Sequence, residues 1–114
     1  MKVTKNEAKL IKREHTTVYS YPPTSKAISV AFIEVKERHP AGKKEQFIEH
    51  DLHVLFYIID GSGTVTVENK PYELTKGDVL TVQPGQRYFI EGDLSYVATT
   101  SPAYYSDQNE VVNN

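Results

Sequence analysis

The sequence contains no cysteine, no tryptophan and a single methionine among its 114 residues. Without cysteine there is no disulfide framework, thiolate zinc site or thiol nucleophile, so any chemistry falls to His, carboxylates, Tyr, Lys or Arg. An excess of one charge is also lacking: 13 Lys and Arg against 15 Asp and Glu leave a net −2, whereas a nucleic-acid binder carries a basic stripe that displaces counterions from phosphates. The one local basic pair, Lys43 and Lys44, is offset by Glu45 and Glu49. Long apolar runs are missing too. The longest, Val54 to Ile59, falls far short of the roughly 20 residues that cross a bilayer, and the opening MKVTKNEAKLIKRE is too polar for a secretory signal. These absences predict a cytoplasmic protein with neither a nucleic-acid nor a membrane partner.

What is present is enough for one packed core. A chain of 114 residues, 39% of them hydrophobic, buries roughly two thirds of its unfolded surface without staples, and it is read as one domain over 1–114 with an N-terminal arm at 1–14 and a tail at 102–114. Leu10 and Ile11 mark a short strand within the arm. The stretch from His15 to Tyr21 is β-branched and aromatic, and Pro22 and Pro23 end it. From Ala27 to Glu37, period two puts Ile28, Val30 and Phe32 on one face and Ile33 and Val35 on the other, which predicts a strand buried on both sides at its start. Strand-like density resumes from Phe47 to Ile59 and meets Asp60, Gly61, Ser62 and Gly63, read as a turn between two strands. Further turns are expected at Asn69 to Pro71, at Lys76 to Asp78 and at Pro84 and Gly85, with strands at Tyr88 to Glu91 and Leu94 to Thr100. Turn signals every 8 to 12 residues, with no 3.6-residue period, indicate an all-β sandwich or barrel. Gly61, Gly63, Gly77 and Gly85 fall where tight connections need positive φ.

Over 42–92 the spacing resembles the cupin superfamily. Gly42, Ile48, His50, Val54 and Gly61 reproduce the intervals of its first motif, and Gly77, Gln83, Gly85, Tyr88 and Gly92 those of its second. The resemblance implies a double-stranded β-helix, the jelly-roll barrel. It also implies where a metal would sit in many members, on two His and a Glu of the first motif and one His of the second. Those four places hold Ile48, His50, Val54 and Tyr88. Two of them have no lone pair, a phenol with a pKa near 10 resists deprotonation, and one imidazole does not outcompete water for a divalent ion. The expectation is therefore no metal and no cofactor.

Counting in steps of two from Val54, the strand directs Ile48, His50, Leu52, Phe56 and Ile58 inward, and the second motif adds Tyr88 and Ile90, with Tyr96 walling the mouth. Glu49 and Asp51 face away on this count, and His39 and His53 are read as outward-facing or hydrogen-bonded. The predicted ligand-binding set is thus Ile48, His50, Val54, Phe56, Tyr88, Ile90 and Tyr96, suited to a small polar-organic or carbohydrate-like ligand held by apolar walls and a few polar groups. A second reading is a metal-independent sugar or sugar-nucleotide isomerase or epimerase with His50 and Tyr88 as catalytic groups. A third is a metallo-cupin with displaced ligands drawn from His50, His53, Asp51 and His39, and a fourth is a structural dimer with a filled barrel. Glu34, Lys36 and Arg38 alternate on a solvated or subunit-facing side. Tyr96, Tyr104 and Tyr105 are equally suited to a homodimer contact, since tyrosine is favoured at interfaces.

Overall fold

The computed structural model describes residues 1–113. Nine strands follow in chain order: β1 (Lys9–Lys12), β2 (Thr16–Ser20), β3 (Ser29–His39), β4 (Glu45–Glu49), β5 (His53–Val67), β6 (Lys70–Thr75), β7 (Val79–Val82), β8 (Arg87–Ser101) and β9 (Asn109–Asn113), with single 3-10 turns at Lys5–Glu7 and Ser106–Gln108. All pairings are antiparallel. One path runs β1-β2-β3-β8-β4-β9, and β5 joins it through β8 while also pairing with β6 and β7. Ile11 from one end of that path and Val111 from the other line the same cavity, so the sheet curls around an interior.

Two long strands carry the barrel. The run from Asp60 to Gly63 is not a turn: β5 continues through it, with a bulge between Ile58 and Asp60 that shifts its register on β8. An extra residue on one strand bends it without ending it, and β8 likewise continues through Gly92, which lies opposite Gly63. Before the bend β5 pairs with β7, and after it with β6. Gly61, Gly77, Gly85 and Gly92 have positive φ. Gly63 does not, and its need for glycine is spatial, because a Cβ there would run into the Glu91 carbonyl. The β5–β6 hairpin turns at Glu68 and Asn69, both at positive φ, as its two-residue connection requires.

Inward residues follow period two on each long strand. Val54, Phe56, Ile58, Val65 and Val67 of β5 meet Tyr88, Ile90, Leu94, Tyr96 and Ala98 of β8 in one buried cluster with Val35, Leu52, Leu74 and Val82. Each large aliphatic or aromatic side chain there contributes roughly 1.5–3 kcal/mol through burial. β3 departs from expectation at both ends. Ile28 and Val30 are exposed, so the strand's start is covered on one side only. Near its end Glu37 adopts φ 71°, and Arg38, on the outer face opposite Glu91, is buried rather than solvated: it donates to the Pro40 carbonyl at 2.7 Å and to the Gly42 carbonyl, and stacks 4.4 Å from the Phe89 ring centroid. The tail adds β9, which pairs with β4.

Candidate functional site

The interior holds a cavity of about 430 Å³, within the size range of small-molecule sites. Its apolar wall includes Phe47, Leu52, Val54, Phe56 and Ala98, and its polar groups include Arg13, His39, Glu49, Tyr88, Tyr96 and Asn109. The position of Glu49 follows from a break between β4 and β5. On β4 the inward residues are Phe47 and Glu49, and on β5 they are Val54 and Phe56, so the two strands differ in parity. His50 and Asp51 form the bend that absorbs the extra residue.

The consequence reverses the expected pattern. Glu49 points in and His50 points out, where its Nε2 lies 2.8 Å from Glu110 with the side chain half exposed. Ile48 is buried on the side of β4 opposite Phe47 and Glu49, and Ile90 is buried in the core, but neither belongs to the cavity wall. Val54, Phe56, Tyr88 and Tyr96 do. His39, expected outside, faces the cavity edge-on to Phe47 with ring centroids 4.7 Å apart. His53 is exposed, as Asp51 is. Sequence reasoning thus missed Glu49, His39 and Arg13. The signal for Glu49 was the polar run His50-Asp51, which interrupts a strand and so resets the count.

Glu49 is 6% exposed and fully engaged. One carboxylate oxygen accepts from the Tyr88 hydroxyl at 2.6 Å, and the other accepts from Gln108 Nε2 at 2.8 Å and Asn109 Nδ2 at 3.0 Å. These bonds tie β4, β8 and the segment leading into β9 together at one buried point. Burial and the adjacent Glu49 carboxylate push the Tyr88 phenol well above its ordinary pKa, so it stays protonated, and its one proton is committed to Glu49. Tyr88 therefore offers the cavity an oxygen acceptor. Tyr96 is the complement. Its side chain is 1% exposed and lines the cavity, burial raises its pKa, and its hydroxyl has no hydrogen-bond partner among the described residues. No fully enclosed side-chain polar atom among the described residues lacks a partner, so the Tyr96 hydroxyl reaches the cavity space as a donor open to a bound molecule.

His39 is held neutral at physiological pH. Burial first, and the Arg13 charge second, lower its pKa to about 4, which leaves one ring nitrogen a donor and the other an acceptor. Ser29 and Thr100 line the same cavity, but their hydroxyls bond one another at 2.7 Å and hold the Pro102 carbonyl and the Tyr104 amide. They fix the wall under Tyr104.

The four positions that carry metal in many cupins do not fit one here. Ile48 and Val54 offer only carbon, His50 is turned outside, and Tyr88 is a protonated phenol bonded to Glu49. Among the described residues no group of three or more His, Asp or Glu is arranged to hold an ion. No helix among them is long and apolar enough to cross a membrane.

Comparisons with known proteins agree with this architecture. Among curated proteins, the uncharacterised protein MJ1618 of Methanocaldococcus jannaschii is 27% identical over 78 residues, covering 64% of this chain and 62% of that protein. The match therefore spans less than two thirds of the relative's length. Among solved structures, Streptomyces Pac13, described as a unique nucleoside dehydratase, superposes with TM-score 0.89 at 19% identity, over 99% of this chain and 91% of that one, and variants of it were solved with uridine. Ectoine synthase from P. lautus superposes with TM-score 0.71 at 15% identity, over 96% of this chain and 82% of that one. At such identities the likeness establishes the fold. The family model described as Cupin domain matches residues 35–96, more than half of the chain and both glycine-spaced motifs, and the chain belongs to that family.

Proposed function

We propose that this cupin binds a small polar-organic, carbohydrate-like ligand in its lumen without a metal. The observation that carries the reading is the pair of phenols that line the cavity from β8: the Tyr96 hydroxyl, open to the cavity and without a side-chain partner among the described residues, and Tyr88, whose proton is committed to Glu49. A ligand hydroxyl answers both, since it accepts from one phenol and donates to the other. Aromatic and aliphatic walls supply the burial.

The test is saturation-transfer NMR with a panel of monosaccharides and nucleosides, on the wild type and on Ala98→Leu, whose longer side chain projects into the cavity. Binding lost in the variant at an unchanged melting temperature supports the lumen. Binding retained places the ligand elsewhere.

A second reading, acid–base catalysis in the same lumen, is favoured by the neutral His39. On this reading His39, which faces the lumen, serves as proton acceptor in place of the expected His50, which is turned outward. The fold shared with a nucleoside dehydratase adds loss of water to the reactions worth assaying. Deuterium entering a ligand carbon in D2O, abolished by His39→Gln while binding persists, distinguishes an enzyme from a binder.

For assembly we propose a homodimer through the outer face of the curled sheet. Val79, Tyr57, Val97, Phe32, Tyr19 and Leu10 lie in one cross-strand row over six neighbouring strands, and Val79, Tyr57 and Leu10 are exposed. Six strands span about 24 Å, close to the side of the ~800 Å² that each partner of a stable complex buries. The remaining expectations belong to the same proposal: no nucleic-acid partner, argued from the charge balance, and a cytoplasmic location with no membrane partner, argued from the short apolar runs.

A further inference from the structure

We propose that the lumen selects an anionic polyol, a sugar or nucleoside bearing one carboxylate or phosphate, with its anion on Arg13 and its hydroxyls between Tyr96, Tyr88 and His39. The inference rests on the lumen reading above and adds to it the charge and orientation of the ligand.

Arg13 lies in the connection between β1 and β2 and contributes to the cavity wall. It is exposed at the residue level, which places it at the mouth, and its charge is felt by both His39 and Tyr104 on that wall. The neighbouring Glu14, and Glu37 of β3, lie instead 3.3 and 3.1 Å from His15 Nε2. Arg13 itself has no ion pair and no side-chain hydrogen bond among the described residues. The other charged group of the wall, Glu49, is saturated by three donors. A carboxylate in that condition repels an incoming anion only at the deep end, and a guanidinium without a counter-ion attracts one at the mouth. A planar guanidinium also suits carboxylate and phosphate oxygens, which it can bind through two parallel hydrogen bonds.

The deep end sets the other half of the ligand. Tyr96 donates, Tyr88 accepts, and the neutral imidazole of His39 does one of each. A hydroxyl both donates and accepts, so a polyol can answer all three of these wall positions. A cavity of about 430 Å³ accommodates one monosaccharide or nucleoside, with the anionic substituent left at the opening.

Calorimetric titration compares glucose with glucuronate and glucose 6-phosphate, and uridine with uridine monophosphate, on the wild type and on Arg13→Gln. Uridine is included because the Streptomyces protein was solved with it. We expect at least one anionic compound to bind about tenfold or more tightly than its neutral parent, as charge-assisted hydrogen bonds imply. Arg13→Gln should remove that preference while leaving the melting temperature and the weaker neutral affinity in place. Glucuronate against glucose 6-phosphate tells carboxylate from phosphate. Equal affinity of neutral and anionic partners, or a preference that survives Arg13→Gln, overturns the anion subsite and leaves the lumen reading standing. Absence of binding by every compound overturns both.

Discussion

His39 shows how a residue's surroundings decide what it can do. An imidazole in water titrates near 6.5, but in the cavity wall burial and Arg13 bring His39 down to about 4. Because the neutral form is favoured in the fold, the unfolded chain binds more protons between those values. Stability is therefore present above pH 6.5 and falls as pH drops toward 4, by on the order of 1–2 kcal/mol for a partly solvated group. Urea denaturation of wild type and His39→Gln across that window should show the wild type losing the extra stability and the variant lacking that component. Parallel pH profiles would mean that His39 is solvated. None of this was legible in the sequence, where His39 stands beside Pro40 in what reads as a surface loop. Tyr88 was legible, because its interval from Gly77 and Gly85 fixes it to an inward position of the second motif. The partner that directs its proton was not.

Strand existence was read well from period two, and strand continuity poorly. Glycine between apolar runs signals a turn when the chain reverses and a bulge when it bends, and composition does not separate the two. Asp60 to Gly63 bends β5, and Gly92 bends β8 at the matching point. The sterics there are severe: Gly92 has φ 131°, and a Cβ on it would sit 2.6 Å from the Gly63 Cα and 2.7 Å from the Ser62 carbonyl oxygen. Gly77 has φ 91° but nothing within 4 Å of an added Cβ. Gly77→Ala should then cost about 1–2 kcal/mol, the backbone strain alone, while Gly92→Ala should cost about 3 kcal/mol or more, since backbone atoms must also move. Denaturation midpoints of the two variants check the order, and equal costs would show that the paired bend is not tight. The same kind of local break misdirected the site. The bend at His50 and Asp51 changes parity between β4 and β5, so a count carried through it from Val54 exchanged Glu49 for His50.

For the molecule as a whole, the barrel follows from glycine spacing and alternating apolar positions, which is why the fold class was legible in the sequence, while whether side chains fill that barrel was not. The outer surface is a separate question. The row from Val79 to Leu10 leaves apolar side chains on the convex face, and a second copy of the chain is the proposed cover. Sedimentation at micromolar concentration should give a dimer, and Tyr57→Glu, which places a charge at the centre of the row, should give a monomer with an intact fold. A monomeric wild type, or a dimeric Tyr57→Glu, would remove the outer face from consideration.

The central claim concerns the inside. Chemical-shift mapping of the isotopically labelled protein, titrated with the sugar and nucleoside panel, addresses it most directly. Saturable shifts concentrated on Ala31, Val54, Tyr88, Tyr96 and Ala98, which line the cavity, are the predicted result. Shifts confined to the outer row around Tyr57, or an unchanged spectrum with every compound, would contradict a ligand in the lumen.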